Sequence, residues 1–518
     1  MPLLRMLRIA TWLLLGAALM VVLGVFAGPL WWVAALVLTL LTAGGLRSVR
    51  QALAPLLQQA AGLQRGSLEA LIEPAAPDVA TLVRSFNGLV ERLGTVLDEE
   101  LSQFDHLLRL THHDPLTGLL TREHFIARTR SLLDREDIPG AGLFVICRLP
   151  DLQRLNRDHG WAVVDILIRR FARGVATLPF ACEERLVGRL NGSEVGLLLL
   201  PGLADDALLP LFGLFDQIVE ELELSPDCAL RIAGTRCFAD EPTAVILTRA
   251  DAAMARLLST GRWETQIVSH GGDLPEQDAA LAAVLREVAA GSATPERLKI
   301  VGLPVAAPSA CLFEECRLRL REGPDTPWSS ARGALLHLDS DTRVALDRVL
   351  VGLALDHAAA RGTPVAVGLS PQSLTDGPLD SLLRQLESVP SRASRLWLEV
   401  PESALTQHGS GFQRLGARAR PLGCRVGISH FGTQARLGQL SDIRFDYLKI
   451  DAALVAGVHQ RAGNQILLRA LLTFAHAVGV LAVADGATED AERATLFELG
   501  FDGVAGPAAA RPGSVLTR

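Results

Sequence analysis

The chain has 518 residues, which is too long for one ordinary domain and suggests about three units. Hydrophobic residues make up 49% and mean hydropathy is +0.28, an excess over soluble globular chains that asks for a membrane segment. A formal net charge of −7 excludes a protein that binds nucleic acid through overall basicity. The first fifty residues supply the apolar excess: Ile9 to Ala27 carry no charge, and after Gly28-Pro29 a second uncharged run extends from Leu30 to Leu46. At about 1.5 Å per residue, each run spans or nearly spans a hydrocarbon core of about 30 Å. Arg5 and Arg8 precede the first run and Arg47 and Arg50 follow the second, so the positive-inside rule places both ends in the cytoplasm. The alternative is a cleaved signal peptide ending near Ala27 followed by a buried helix; with no polar gap before the second run, a transmembrane helical hairpin over 1–47 is favoured.

Residues 48–110 read as helix, broken at "AAPD", with apolar residues three and four apart through Leu93 and Leu107. The Pro55 start and the Phe86-Asn87 pair resemble a HAMP module, which implies a parallel homodimer; a generic amphipathic linker is the alternative. Seven cysteines follow the hairpin without paired spacing, which fits reduced cytoplasmic thiols.

From about 111 the pattern changes. "GLFVICRL" and "EVGLLLLP" read as strands, and "AVVDILIRRFARGVATL" and "ALLPLFGLFDQIVEEL" as helices, giving one α/β domain over 111–270. A polar linker, 271–294, carries a helix expected at 278–290. Over 295–518 the strand candidates "KIVGLPVA", "CLFEECRLRL", "PVAVGLS", "RLWLEV", "CRVGIS", "DYLKID", "LAVAD" and "DGVAG" alternate with helices, which predicts a (β/α) barrel. The expected chain is thus multidomain: hairpin, HAMP-like helices, α/β domain, barrel.

"DPLTGLLTREHF", from Asp114, and the closing "LTRADAAMARLLSTG" resemble the GGDEF family of diguanylate cyclases, which join two GTP molecules into cyclic di-GMP. A cyclase holds metal ions with carboxylates against the triphosphate charge. Laid on the family pattern, "RLPDLQRLNR" puts Arg148 and Pro150 at two Asp positions and Gln153 at the Lys, leaving Asn156. The signature turn reads Asn191-Gly192-Ser193-Glu194-Val195, with Ser193 at the metal-binding acid, and the inhibitory product site falls on Cys182 and Arg185. Asp151 is one residue out of phase with Pro150 and, on a strand, points to the opposite face.

The barrel region resembles EAL domains, the phosphodiesterases that open cyclic di-GMP, through "ECRLR", "VGLSPQSL", "LEVPES", "SHFGTQ", "FDYLKID", "VADGAT" and "GPAAARP" in order. The family holds two metals on carboxylates and an Asn at strand ends. The match keeps Glu315, Arg319, Glu399, Lys449 and Pro512, and has Asp485 at a Glu position. The Asn becomes Gly368, the paired Asp residues become Ser429 and His430, and a late Gln becomes Ala505. Loss of both aspartates predicts lost magnesium sites, hence no metal cofactor and no catalysis in either domain.

The resemblance implies a protein of the bacterial inner membrane with two transmembrane helices. Cyclic di-GMP is its candidate ligand, at Glu315, Arg319, Glu399, Lys449, Asp485 and Pro512. The architecture is similar to LapD-type receptors but has only a turn between the membrane helices, so output is expected through a cytoplasmic protein partner. Two other readings stay open: a ligand-independent adaptor similar to CsrD, and an active phosphodiesterase using the persisting carboxylates. A simple pairing of Arg319 and Lys449 with Glu399 and Asp485 is as compatible with the residues as retained ligand binding.

Overall fold

The computed structural model describes residues 106–135, 141–149, 152–180, 182–201, 208–224, 229–238, 241–260, 266–268, 276–291, 295–331, 333–432 and 443–509, with scattered helical positions between Arg84 and Ser102. The hairpin expected over 1–47 and nearly all of the HAMP-like segment over 48–110 lie outside the described residues. Among the described residues no helix is long and apolar enough to cross a membrane. The chain divides into two compact units, and everything below belongs to the one formed by Ser102–His476 with Val480–Arg518.

The first domain is built on a six-stranded sheet. Its strands are β1 (Leu120–Thr121), β2 (Ala141–Arg148), β3 (Glu184–Arg189), β4 (Glu194–Leu200), β5 (Arg231–Phe238) and β6 (Gln266–Val268), in the order β1-β3-β4-β2-β5-β6. Its helices are α1 (Arg122–Asp134), α2 (Leu152–His159), α3 (Trp161–Thr177), α4 (Leu209–Glu221) and α5 (Thr243–Thr260). β2 reads as an unbroken apolar run because it is covered on both faces. Leu143, Val145 and Cys147 pack with Leu167, Phe171 and Phe215, while Phe144 and Ile146 pack with Phe125, Met254 and Leu257. Phe125 of α1 lies flat on the sheet: a Cβ at Gly188 would come within 2.6 Å of its side chain. The apolar-run reading finds β2 and β4 but passes over β3 and β5, whose sequences "ERLVGR" and "RIAGTRCF" are half polar and become strands through pairing with β4 and β2.

Helix α6 (Glu276–Ala289) leads to the barrel. Eight strands close it: β7 (Leu298–Ala306), β8 (Cys311–Leu320), β10 (Val365–Gly368), β11 (Leu396–Pro401), β12 (Arg425–Phe431), β13 (Tyr447–Ile450), β14 (Leu481–Ala484) and β15 (Gly503–Val504), with the short β9 (Ser329–Ser330) beside β8. β7 runs antiparallel to both neighbours, and the other pairings round the barrel are parallel. The helices outside are α7 (Ser340–Arg361), α8 (Asp376–Glu387), α9 (Pro390–Ala393), α10 (Glu402–Ala419), α11 (Ala452–Val455), α12 (Ala462–Ala477) and α13 (Asp490–Leu499). Local chemistry sets their ends: Asp339 accepts from Thr342 N at 2.8 Å to start α7, and Gly362, at φ 75°, ends it in the left-handed region.

Inside the barrel, Phe313, Trp397 and Tyr447 form an aromatic plug with ring centroids 4.4 to 5.9 Å apart, sealed by Val305, Ala366, Val483 and Ala505. Two residues further along each strand, on the same face, come Glu315, Gly368, Glu399, Lys449 and Asp485. The strand period therefore stacks a charged layer on an apolar floor. Gly427 sits in the floor because Tyr447 fills its place: a Cβ there would lie 2.4 Å from the phenol ring. Gly427→Ala is expected to cost about 1–3 kcal/mol of stability through overpacking. Gly192→Ala, which would meet nothing within 4 Å, is expected to change stability by no more than about 0.5 kcal/mol in the same thermal melts.

Candidate functional site

The charged layer converges on one ammonium group. Lys449 is 2% exposed, and its Nζ contacts a Glu315 carboxylate oxygen, with Asp485 at 3.5 Å and Glu399 at 3.7 Å. Arg317 Nη2 donates to the other Glu315 oxygen at 2.9 Å. Burial alone would raise the Glu315 pKa, but Lys449 and Arg317 outweigh it and hold the carboxyl at about 2. Glu399 goes the other way: burial, with repulsion from Glu315 and Asp485, pushes it above the usual range despite Lys449. Burial would lower the Lys449 pKa, yet Asp485, Glu315 and Glu399 together hold it above its ordinary value, so the group stays charged. Glu399 Oε1 and the Tyr447 hydroxyl are buried without a hydrogen bond of good geometry.

To one side of this cage lies a cavity of about 360 Å³, lined by β8, β10 and the end of β11, by the helices outside them and by Arg135 and Glu183 of the first domain; none of Glu315, Glu399, Lys449 or Asp485 lines it. Arg317 joins cage to cavity. Gly368 and Ser370 form one wall, Arg343 another, and Glu183 and Arg135 a third. Asp347 shapes the wall: its Oδ2 accepts from Ser370 N at 2.7 Å, Ser370 Oγ at 2.6 Å and Ser373 Oγ at 2.6 Å, pinning the turn Pro371–Leu374. The cavity guanidiniums are paired: Arg343 Nη1 reaches both Glu183 oxygens at 3.0 Å, and Arg135 lies 3.6 Å from Glu184.

The sequence-predicted residues part company here. Glu315, Glu399, Lys449 and Asp485 come together in the cage. Arg319 does not join them or line the cavity; its Nη1 donates to the Leu318 carbonyl at 2.9 Å, and the strand pairs it across from Ser330. The simple pairing of Lys449 with the carboxylates is thus present, but Arg319 is not part of it. Ala505 belongs to the apolar floor rather than the mouth. Pro512 lies outside the described residues. Gly368 is exposed at the cavity edge, and Ser429 is buried at the end of β12. His430 adopts φ 53°, with Nδ1 3.6 Å from Asp451 Oδ2.

In the first domain, Arg148 Nε donates to Glu194 Oε1 at 2.6 Å, and Asn191 Nδ2 also bonds Glu194, so that buried acid is held by neighbours. Ser193 Oγ is 3.2 Å from Asn191 Oδ1, while Pro150 and Asp151 lie outside the described residues. Asp114, the opening of the most specific motif, accepts from Thr117 N at 2.9 Å and pairs with Arg189 at 3.0 Å. It ties the domain's entry turn to β3.

Sequence reasoning missed Arg317, Arg343, Arg128 and Asp451. Arg317 was findable, because alternation puts it on the face of Glu315 two residues away. Asp451 closes the motif "FDYLKID" but carries no assigned role in it, Arg128 and Arg343 carry no motif, and all three meet partners far along the chain. Ser131 Oγ of α1 donates to Asp451 Oδ2 at 3.0 Å, and Arg128 is buried facing Asp451, Glu184 and Glu402. Burial would raise the Asp451 pKa, but His430 and Arg128 hold it well below the usual carboxylate range. Asp451→Ala therefore leaves a buried guanidinium short of one counter-charge and is expected to destabilise the unit by about 3 kcal/mol, read by denaturant unfolding.

Beside this contact His112 and His124 stack at 4.0 Å. Burial, reinforced by nearby Arg128, lowers the His112 pKa to about 4 and holds His124 well below the usual range. Unfolded histidine binds protons below about pH 6.5 whereas folded His112 does not until about 4, so stability is expected to fall as pH drops through that window. The Glu315 contribution begins to be lost only below the unfolded value of about 4.5 and is gone by about 2, so it adds to the decline at the acid end of the range. Melting temperatures between pH 7 and pH 4 test this, and His112→Asn is expected to flatten the decline.

Residues 111–264 match the family model described as diguanylate cyclase, GGDEF domain, and residues 313–512 match the EAL domain model. The chain is a GGDEF–EAL tandem. An uncharacterized signaling protein of Caulobacter vibrioides is 27% identical over 434 residues, 78% of this chain and 51% of the relative. The probable diguanylate cyclase DgcE of Escherichia coli is 24% identical over 415 residues, 75% of this chain and 36% of that protein. The chain spans about half the length of the first of these relatives. Among solved structures, the S helix-GGDEF-EAL portion of Vibrio cholerae LapD in its apo form matches with TM-score 0.70 and 14% identity, covering 80% of this chain and 100% of that one. At that identity the likeness is one of fold.

Proposed function

We propose that this chain is a catalytically inactive cyclic di-GMP signalling protein that works as a receptor through its EAL barrel. The observation that carries the reading is the thinning of acids at the barrel mouth: among the described residues no group of three or more acids, histidines or cysteines is arranged to hold a metal ion. Metal-assisted phosphodiester hydrolysis needs cations held by several anionic oxygens. Here Gly368, Ser429 and His430 stand at strand ends where the family carries ligands, and the remaining acids converge on Lys449. The neighbouring cavity offers a concave space, with Arg317 and Arg343 as planar forks suited to phosphate. In the GGDEF domain, Arg148 at a family Asp position pairs with Glu194, which argues against cyclase chemistry there. Anchoring by a two-helix hairpin in a bacterial inner membrane, dimerisation through the HAMP-like helices and output to a cytoplasmic protein partner complete the proposal.

A ligand-independent adaptor is the second reading. It is favoured by one feature, the pairing of Arg343 and Arg135 with Glu183 and Glu184, which occupies the cavity's cations with protein carboxylates.

Calorimetric titration of cyclic di-GMP into the full chain, with magnesium and then without it, separates these readings. The receptor reading expects binding at micromolar concentrations or below that ignores magnesium and yields no linear product. Arg317→Ala is expected to weaken it about tenfold or more, the worth of a charge-assisted hydrogen bond. Arg319→Ala is the companion variant, and unchanged affinity there would place phosphate recognition on Arg317. No heat from a folded sample rejects the receptor and leaves the adaptor, while magnesium-dependent hydrolysis rejects both.

A further inference from the structure

We propose that Lys299 is an acylation site, whose amine takes an acyl group from an acyl phosphate held through its phosphate by the guanidinium of Arg321.

The sequence isolates this amine. Of the 50 lysine and arginine residues only two are lysine, Lys299 and Lys449. Lys449 is buried among carboxylates, beyond the reach of an electrophile in solution. Lys299, on β7, is exposed, and its side chain is therefore the one lysine amine of the chain that faces solvent. The difference from the surrounding arginines is chemical. A guanidinium stays protonated in proteins and is no nucleophile, whereas an amine that sheds its proton attacks acyl carbon.

Its surroundings are cationic and pre-positioned. Lys299 Nζ lies 4.3 Å from the centroid of the Trp328 ring and Arg321 Cζ lies 4.5 Å from it, so one half-buried indole carries two cations. Backbone alone fixes Arg321: its Nε donates to the Glu296 carbonyl and its Nη1 to the Pro324 carbonyl, each at 2.6 Å. Its Nη2 makes no hydrogen bond among the described residues and is left for a ligand. Neither Lys299 nor Arg321 pairs with a carboxylate among the described residues, although Glu322 and Asp325 are exposed in the same turn. Across the ladder Lys299 stands directly opposite Arg319, and like charges in that register repel. Such a surplus attracts a small phosphate-bearing molecule, and a guanidinium is the side chain that grips phosphate oxygens.

The step is an acyl transfer. With the phosphate on Arg321, the acyl carbon lies toward the other cation of the indole. The deprotonated Lys299 Nζ attacks that carbon, the carbon–oxygen bond to phosphate breaks, and inorganic phosphate leaves with the electron pair. The proton shed by the nitrogen goes to water, and the amide forms without any change of oxidation state. Acylation removes one of the like charges facing each other on this ribbon, on the face that carries Arg319 and, two residues nearer the barrel, Arg317.

The test is incubation of the full chain with acetyl phosphate, followed by mass spectrometry and peptide mapping of the acetyl group. Lys299 is expected to be acetylated and Lys449 to stay unmodified, and added inorganic phosphate is expected to slow the reaction by competing for Arg321. Arg321→Gln is expected to slow acetylation of Lys299 about threefold or more, while its rate with a neutral active ester changes by less than about twofold, because that reagent carries no phosphate. The ester also reports whether the amine stays exposed in the variant. A Lys299 left unmodified by acetyl phosphate would overturn the proposal. So would acetylation that ignores both inorganic phosphate and Arg321→Gln, since Lys299 would then be an accessible amine and nothing more. Equal slowing of both reagents by Arg321→Gln would overturn it as well, because Arg321 would then govern exposure and not phosphate.

Discussion

A buried ammonium ion among buried carboxylates is the constraint on which the barrel mouth depends. Each of these groups gives up hydration worth several kcal/mol when it leaves water, and only mutual proximity offsets the loss. Lys449 is therefore held by three directions of attraction, and each acid is held in turn by Lys449, with Arg317 adding its own fork to Glu315. The aromatic floor beneath excludes water and fixes the height of this layer. A mouth arranged in this way has most of its negative charge offset from within by Lys449 and Arg317.

The same principle extends outward to the seam between the two domains. Arg317 belongs to both cage and cavity, and the cavity's far wall is closed by Arg343 gripping Glu183 of the GGDEF domain. On another side Asp451, next to the strand that carries Lys449, accepts from Ser131 and faces the buried Arg128. His430, near the end of β12, leans on Asp451. Asp451 is thus shared between His430 of the barrel and Ser131 of the first domain.

The GGDEF domain shows the pattern in miniature. Arg148 stands on β2 directly across from Glu194 on β4, so the acid in the signature turn is neutralised by a neighbouring strand. Asp114, in the motif that identifies the domain, spends its oxygens on Thr117 and on Arg189. A short sequence can be strongly family-like because it builds a turn, and need carry no chemistry of its own.

Much of this was legible in the residues alone. Apolar runs gave β2 and β4, the alternation of strands and helices gave the barrel, and the ordered motifs picked out Glu315, Glu399, Lys449 and Asp485 on successive strand ends. These are local signals, set by side-chain period and by the residue types that a strand end or a turn demands. The tertiary structure alone decided that the four meet at one nitrogen, that Arg319 turns to its own backbone while Arg317 enters the site, and that Ala505 falls into the floor. It also decided the half-polar strands β3 and β5, which exist because β4 and β2 offer them hydrogen bonds. Contacts such as Arg343 with Glu183, 160 residues apart, and Ser131 with Asp451, 320 apart, leave no periodic trace, because they depend on how the closed barrel and the sheet present their surfaces to each other.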